Sequence, residues 1–153
     1  MKTSAGILLY KKMQSSIYFF LVHPGGPFWK NKDAGAWSIP KGEIEKDEDP
    51  LERARIEFKE ETGKEIDGNF VPLTPIRQKS GKWVKAWAIE GDMATDHCSS
   101  NLIQLEWPPR SGKQIQVPEV DRWEWFTAAK AMQKINPAQL SFILEVSALL
   151  KGV

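Results

Sequence analysis

The chain is predicted to fold as an α/β protein, a mixed β-sheet between helices, and three observations lead there. Strand-like apolar runs parted by turn formers fill its first and middle parts, a helical segment interrupts them between Pro50 and Gly63, and two further helical patterns close the chain. Ala5 to Lys12 and Ile17 to His23 are rich in Ile, Leu, Tyr, Phe and Val, and the polar step Met13-Gln14-Ser15-Ser16 between them predicts a hairpin. Trp37-Ser38-Ile39-Pro40-Lys41-Gly42 reads as a short strand running into a Pro/Gly loop. Pro50 suits a first helical turn, and Asp47, Glu48 and Asp49 place negative charge at the positive end of the helix dipole. Leu51, Ala54 and Phe58 recur at spacings of three and four as a buried stripe, and Gly63 stands where a helix-ending residue with positive φ belongs. Phe70 to Ile76, Trp83 to Glu90 and Leu102 to Trp107 read as later strands. Ala128 to Lys134 and Gln139 to Leu150 read as helices, the second with Leu140, Ile143, Leu144, Val146, Leu149 and Leu150 as its packing face.

With 153 residues the chain suits one compact domain, 1–153, with its own core. Its 21 Lys and Arg nearly cancel 20 Asp and Glu, so no global field recruits nucleic acid or an acidic membrane, and phosphate recognition must be local. A single cysteine, Cys98, excludes an internal disulfide; together with the absence of a signal-like N-terminus it leads us to expect a cytoplasmic protein. Ile17 to Val22 is apolar but far too short to cross a bilayer.

Chemistry concentrates in Gly42 to Gly63, GEIEKDEDPLERARIEFKEETG. Glu57, Glu60 and Glu61 fall within about a third of the helix circumference at roughly 100° per residue, on the side expected to stay open. Acidic surface clusters with nearby lysines, here Lys59 and Lys64, are often plain solvated faces. The same cluster is also what a hard divalent cation requires, because Mg²⁺ takes a few carboxylate oxygens, waters and substrate phosphate oxygens.

Loop, glycine and acidic helix together resemble the Nudix hydrolases, whose signature is G-x5-E-x7-R-E-U-x-E-E-x-G-U with U apolar. Gly42, Glu48, Glu57, Phe58, Glu60, Glu61 and Gly63 are in register with it. Ile56 replaces the signature arginine, which in the family holds a glutamate by a salt bridge, and Lys64 replaces an apolar residue. Arg53, four residues before Glu57, can reach that glutamate instead. The resemblance implies an α/β/α sandwich with the signature helix against the sheet. It further implies hydrolysis of a phosphoric anhydride with Mg²⁺ or Mn²⁺ held by Glu57, Glu60 and Glu61 and the Gly42 carbonyl.

A second stretch, Pro118 to Phe126, is similar to Nudix RNA pyrophosphohydrolases and dinucleoside tetraphosphate hydrolases, which carry a glutamate six residues before a tryptophan, as Glu119 stands before Trp125. Glu119 is the candidate to reach the metal or activate water, Glu124 its alternative, and Glu60 a further catalytic candidate. Lys41, Trp37, Arg110 and Lys113 are candidates for substrate contact, the last two in the turn Pro108-Pro109-Arg110-Ser111-Gly112-Lys113. Trp29, Trp83, Trp87 and Phe28 offer further flat faces for a base, although aromatics more often fill cores. His23 and His97 have no neighbours at metal-ligand spacing and are read as structural or exposed. The expected substrate is an NTP or dinucleoside polyphosphate, with no membrane partner and no nucleic acid except as an RNA 5′ end. RNA 5′-end pyrophosphate removal and a lapsed nucleotide-binding module are the alternatives.

Overall fold

The computed structural model describes residues 2–151. The predicted hairpin is β1 (Thr3–Met13) and β2 (Ser16–Pro24), antiparallel with Tyr10 opposite Phe19 and Met13 opposite Ser16. β3 (Lys41–Glu43) pairs antiparallel with Ser4 to Gly6 at the start of β1. Helix α1 spans Pro50–Thr62. The run expected as one strand, Phe70 to Ile76, divides into β4 (Val71–Pro72) and β5 (Ile76–Arg77), both antiparallel to β6 (Trp83–Glu90). Pro72 and Pro75 lack the N–H that an uninterrupted ladder needs. β6 runs parallel to β1, from Thr3 opposite Trp83 to Tyr10 opposite Glu90, and this pairing makes the sheet mixed.

β7 (Leu102–Glu106) and β8 (Gln114–Pro118) form a separate two-stranded ribbon. β9 (Val120–Thr127) then joins β2 antiparallel, giving the main-sheet order β4-β6-β1-β2-β9, with β3 on β1 and β5 on β6. α2 (Ala128–Lys134), a 3₁₀ turn (Pro137–Gln139) and α3 (Leu140–Lys151) complete the chain.

Strand alternation distributes the core between two faces. From β1, Ile7 and Leu9 meet Ala54 and Phe58 of α1, whereas Leu8 joins Ala131 of α2 and Phe142, Ile143 and Val146 of α3. Covered on both sides, β1 is apolar without interruption over Ile7-Leu8-Leu9. The packing face of α3 differs from the one expected: Leu144 and Leu149 are exposed and Phe142 takes the central place, because the helix rotates its bulkiest ring onto the sheet. Among the described residues no helix is long and apolar enough to cross a membrane.

The starts of β1, β6 and β9, the end of β2 and all of β3 meet at one end of the sheet, since Thr3 faces Trp83, Pro24 faces Val120 and Ser4 faces Glu43. The candidate site lies at that end.

Candidate functional site

Asp49 caps α1 by accepting the Glu52 N–H at 3.0 Å, and Gly63 ends it at φ 76° with its N–H on the Lys59 carbonyl at 2.7 Å. Between these caps, Ala54 and Phe58 drive one face into the sheet. Glu57 and Glu61 lie on that same face, being three residues on from Ala54 and Phe58. They are 8% and 3% exposed, and only Glu60 stands open. The expectation that three glutamates share the open side is therefore corrected: the helix turns two of them inward, over β3 and the junction of β8 with β9. Gly42 permits this, since a Cβ there would overlap the Glu57 carboxylate.

One carboxylate oxygen from each of Glu57, Glu61 and Glu119 falls within 4.8 Å of the others. Burial pushes the Glu61 carboxyl well above the usual carboxylate range, and the charges of Glu119 and Glu57 push it further. Burial also raises Glu57, with Glu60 adding to the rise and the Arg53 hydrogen bond opposing it. Glu61 Oε2 is buried with no hydrogen-bond partner. An orphaned oxygen among three converging carboxylates fits a hard divalent cation, whose charge satisfies all of them together. Glu60 lies outside this trio and acts on it through its charge on Glu57.

Arg53 takes the structural part of the missing signature arginine. Its Nε and Nη2 donate to the two oxygens of Glu48 at 2.9 and 2.6 Å, and its Nη1 donates to Glu57 Oε2 at 3.1 Å. These bonds hold the guanidinium far above its ordinary pKa and tie the loop before α1 to a carboxylate of the trio. Ile56 is 41% exposed and takes no part.

Glu119 lies between β8 and β9, and its peptide is held from both sides. Its N–H donates to the Asn101 carbonyl at 3.0 Å and its carbonyl accepts from Gly25 at 2.9 Å, while the Asn101 N–H donates to the Glu60 carbonyl at 2.8 Å. Ser100 Oγ accepts the Val120 N–H at 3.0 Å, and Trp123 Nε1 donates to the Glu61 carbonyl at 2.7 Å. Asn101, Ser100 and Trp123 thus fix Glu119 against the end of α1, a role the sequence reading missed. Its signals were the polar run Ser99-Ser100-Asn101 and the Gly25-Gly26 pair. Glu124 is exposed within β9, outside the trio.

A cleft of about 210 Å³ opens beside the trio, its walls including Lys41, Glu61, Glu119, Trp29, Gln78 and Asn136. Burial lowers the pKa of the Lys41 ammonium, an effect opposed by the nearby charge of Glu61. Trp37, a candidate for substrate contact, is instead a core residue at 1% exposure. It packs edge-on to Phe126 at 5.0 Å and to His23 at 5.2 Å, and its Nε1 donates to Asp33 at 2.8 Å. The segment expected as a short strand before a loop forms only isolated bridges, Trp37 to Ile135 and Ser38 to Val22, while Lys41 and Gly42 belong to β3; it turns the large apolar ring inward, where the area removed from water is greatest. Arg110 and Lys113 are exposed on the turn between β7 and β8 and do not line the cleft. His23 is buried between Asp121 and the Lys32 carbonyl, each at 2.7 Å, and His97 is exposed.

Comparison with known proteins matches the NUDIX domain family to residues 2–146. No curated protein sequence gives a significant match. Among solved structures, the Ap4A hydrolase of C. elegans in a binary complex is 22% identical with a TM-score of 0.65, over 98% of this chain and 99% of that one. The NUDIX domain of Shewanella oneidensis NrtR complexed with ADP ribose is 15% identical with a TM-score of 0.69, over 97% and 88%. A mutT/nudix family protein from Listeria innocua is 14% identical with a TM-score of 0.66, over 99% and 94%. At such identities the structures speak for the shared fold. The match along nearly the whole sequence, together with an acidic helix in the register of the signature, shows that the chain belongs to the Nudix family, hydrolases acting on acid anhydrides.

Proposed function

We propose that this Nudix pyrophosphohydrolase splits the phosphoric anhydride of an NTP or a dinucleoside polyphosphate, with Mg²⁺ or Mn²⁺ held by Glu57, Glu61 and Glu119. The observation that carries the reading is the buried, unpartnered Glu61 Oε2 within a trio of carboxylates at the wall of an open cleft. Bound metal supplies charge neutralisation of the pyrophosphate and a lowered pKa for the attacking water. Arg53 and Gly42 keep Glu57 in place, and Lys41 offers a cation to a phosphate entering the cleft. Glu119, half-buried and braced by its backbone, is the group we assign to take the proton of that water as the anhydride P–O bond breaks. Glu60 is the outer carboxylate of the same helix. Nucleotide-type substrates are further supported by two proteins of like fold, one named an Ap4A hydrolase and one complexed with ADP ribose.

The test is Mg²⁺- and Mn²⁺-dependent phosphate or nucleotide release from nucleoside triphosphates, dinucleoside polyphosphates, ADP-ribose and 5′-triphosphate RNA. Controls are Glu60→Gln, Glu61→Gln and Glu119→Gln. Turnover lost on removing metal and abolished in Glu61→Gln and Glu119→Gln is expected, and the Glu60→Gln rate shows whether the outer carboxylate takes part. Turnover that persists in Glu61→Gln would place the chemistry elsewhere, and nucleotide binding without turnover would make the chain a binding module.

A further inference from the structure

His23 is a polar side chain with no exposed surface, and nothing in the hydrolysis described above uses it. Its Nδ1 lies 2.7 Å from Asp121 Oδ1 and its Nε2 lies 2.7 Å from the Lys32 carbonyl oxygen. Both partners are acceptors, so a ring that makes both bonds donates from each nitrogen, and a carboxylate is the partner that suits such a ring away from water.

The two bonds join distant segments. Asp121 is the second residue of β9, two after Glu119, whereas Lys32 belongs to the loop that follows β2. The Lys32 N–H donates to the Trp29 carbonyl at 2.9 Å, and the Trp29 N–H donates to the Gly26 carbonyl at 3.2 Å. A short path thus runs from Asp121 through the His23 ring and the Lys32 peptide to Trp29. The start of the same loop is bound to Glu119 itself, whose carbonyl accepts the Gly25 N–H. Its far end is anchored to α2, where Asp33 accepts from Lys134 Nζ and the Gly35 N–H donates to the Gln133 carbonyl. The turn that carries Trp29 lies between these anchors, and His23 is its hold toward β9.

Trp29 is half-buried and, among the described residues that line the cleft, is the one aromatic. Resting on the reading of the cleft as the substrate site, we propose that His23 is a positioning residue: it keeps the Trp29 ring at the cleft, in fixed relation to Glu119, where the ring meets the base of a nucleotide whose phosphates lie at the carboxylate trio. A flat ring suits a planar base. Freed from His23, the turn holds that position for only part of the time, and the affinity for the nucleotide falls with the occupied fraction.

The experiment is calorimetric titration of the Mg²⁺-loaded protein with a nucleoside triphosphate whose phosphates are joined by methylene bridges, and with inorganic tripolyphosphate, which has no base. The proteins compared are wild type, His23→Asn, His23→Gln, Trp29→Ala and the double variant His23→Asn/Trp29→Ala. Asparagine puts a donor where Nδ1 stood and loses the Lys32 bond, whereas glutamine can reach the Lys32 carbonyl. His23→Asn is expected to weaken nucleotide binding by about tenfold and to leave tripolyphosphate within about twofold, and His23→Gln should recover most of the loss. The double variant should bind no more weakly than Trp29→Ala, because a ring that is absent cannot be misplaced. Melting temperatures verify folding; where His23→Asn does not fold, Asp121→Asn, on the exposed side of the same bond, replaces it with an expected loss of about threefold confined to the nucleotide. Tripolyphosphate weakened as much as the nucleotide, or losses from His23 and Trp29 that add, overturns the inference and leaves His23 a residue of the core alone. The readout is binding, so it is separable from turnover: the expected pattern in a protein that hydrolyses nothing would keep the positioning role and remove the hydrolase reading. A wild-type protein that binds neither ligand would remove the reading of the cleft and the inference with it.

Discussion

Glu61→Gln should make the metal-free protein more stable while removing one of the carboxylates proposed to hold metal. Without metal at pH 7, Glu61 either stays ionised beside Glu57 and Glu119 or takes up a proton. Two unit charges no more than 4.8 Å apart repel by about 3.5 kcal/mol at an effective dielectric of 20. Protonating a carboxyl whose ordinary value is 4.5 costs about 3.4 kcal/mol at pH 7, at about 1.36 per pH unit. The easier route sets the penalty, which is therefore up to about 3 kcal/mol. Glutamine keeps the shape, cannot ionise and can donate to Glu57. We expect a gain of about 1–3 kcal/mol, read as a melting temperature about 3–9 °C higher in EDTA at pH 7.

The sign of the pH dependence follows from the raised carboxyl. The folded state holds the proton to higher pH than the unfolded state, so metal-free wild type loses stability as pH rises above 4.5, and the advantage of the variant grows over the same range. At pH 5 the advantage should shrink to about 0.7 kcal/mol. Mg²⁺ should raise the melting temperature of wild type and leave the variant unmoved. No gain in EDTA at pH 7, or an equal gain at pH 5, would refute the reasoning.

Arg53→Ala, which strands Glu48 and Glu57, should cost about 2–3 kcal/mol in urea unfolding and lower kcat/KM by at least tenfold at saturating Mg²⁺; unchanged activity would show that Arg53 does not substitute for the signature arginine. Ile56→Arg should stay within about 0.5 kcal/mol of wild type, its site being exposed and its task already done. Gly42→Ala should displace the Glu57 carboxylate and abolish the Mg²⁺-induced rise in melting temperature, measured by scanning fluorimetry. Trp37→Ala should destabilise by about 3–5 kcal/mol in chemical denaturation, the signature of a core residue rather than a substrate platform.

Much of this fold was legible from local pattern. The hairpin, α1 with Pro50 and Gly63 at its ends, β6 and α2 all stand where the sequence put them, because apolar periodicity and capping chemistry are decided within a few residues. β8 and β9 were not read as strands: the first alternates weakly, with Gln114 and Gln116 exposed, and a single residue, Glu119, separates it from the second. Trp37 was misplaced because an aromatic beside a Pro/Gly loop reads alike whether it faces solvent or core.

By itself, then, the sequence determined a capped acidic helix, a Gly42 loop before it and the family to which the pattern belongs. Which carboxylates work together was a tertiary decision. Glu60 and Glu61 are adjacent in the chain, yet the 100° turn of the helix leaves one in solvent and buries the other. Glu119 reaches Glu61 across 58 residues only because β9 pairs with β2 and the Asn101 peptide links both. Arg53 joins Glu48 to Glu57 because the loop before α1 folds back to bring Glu48 within its reach. Such relations depend on strand order and long-range contact, which are settled when the sheet closes and which no short window of residues encodes.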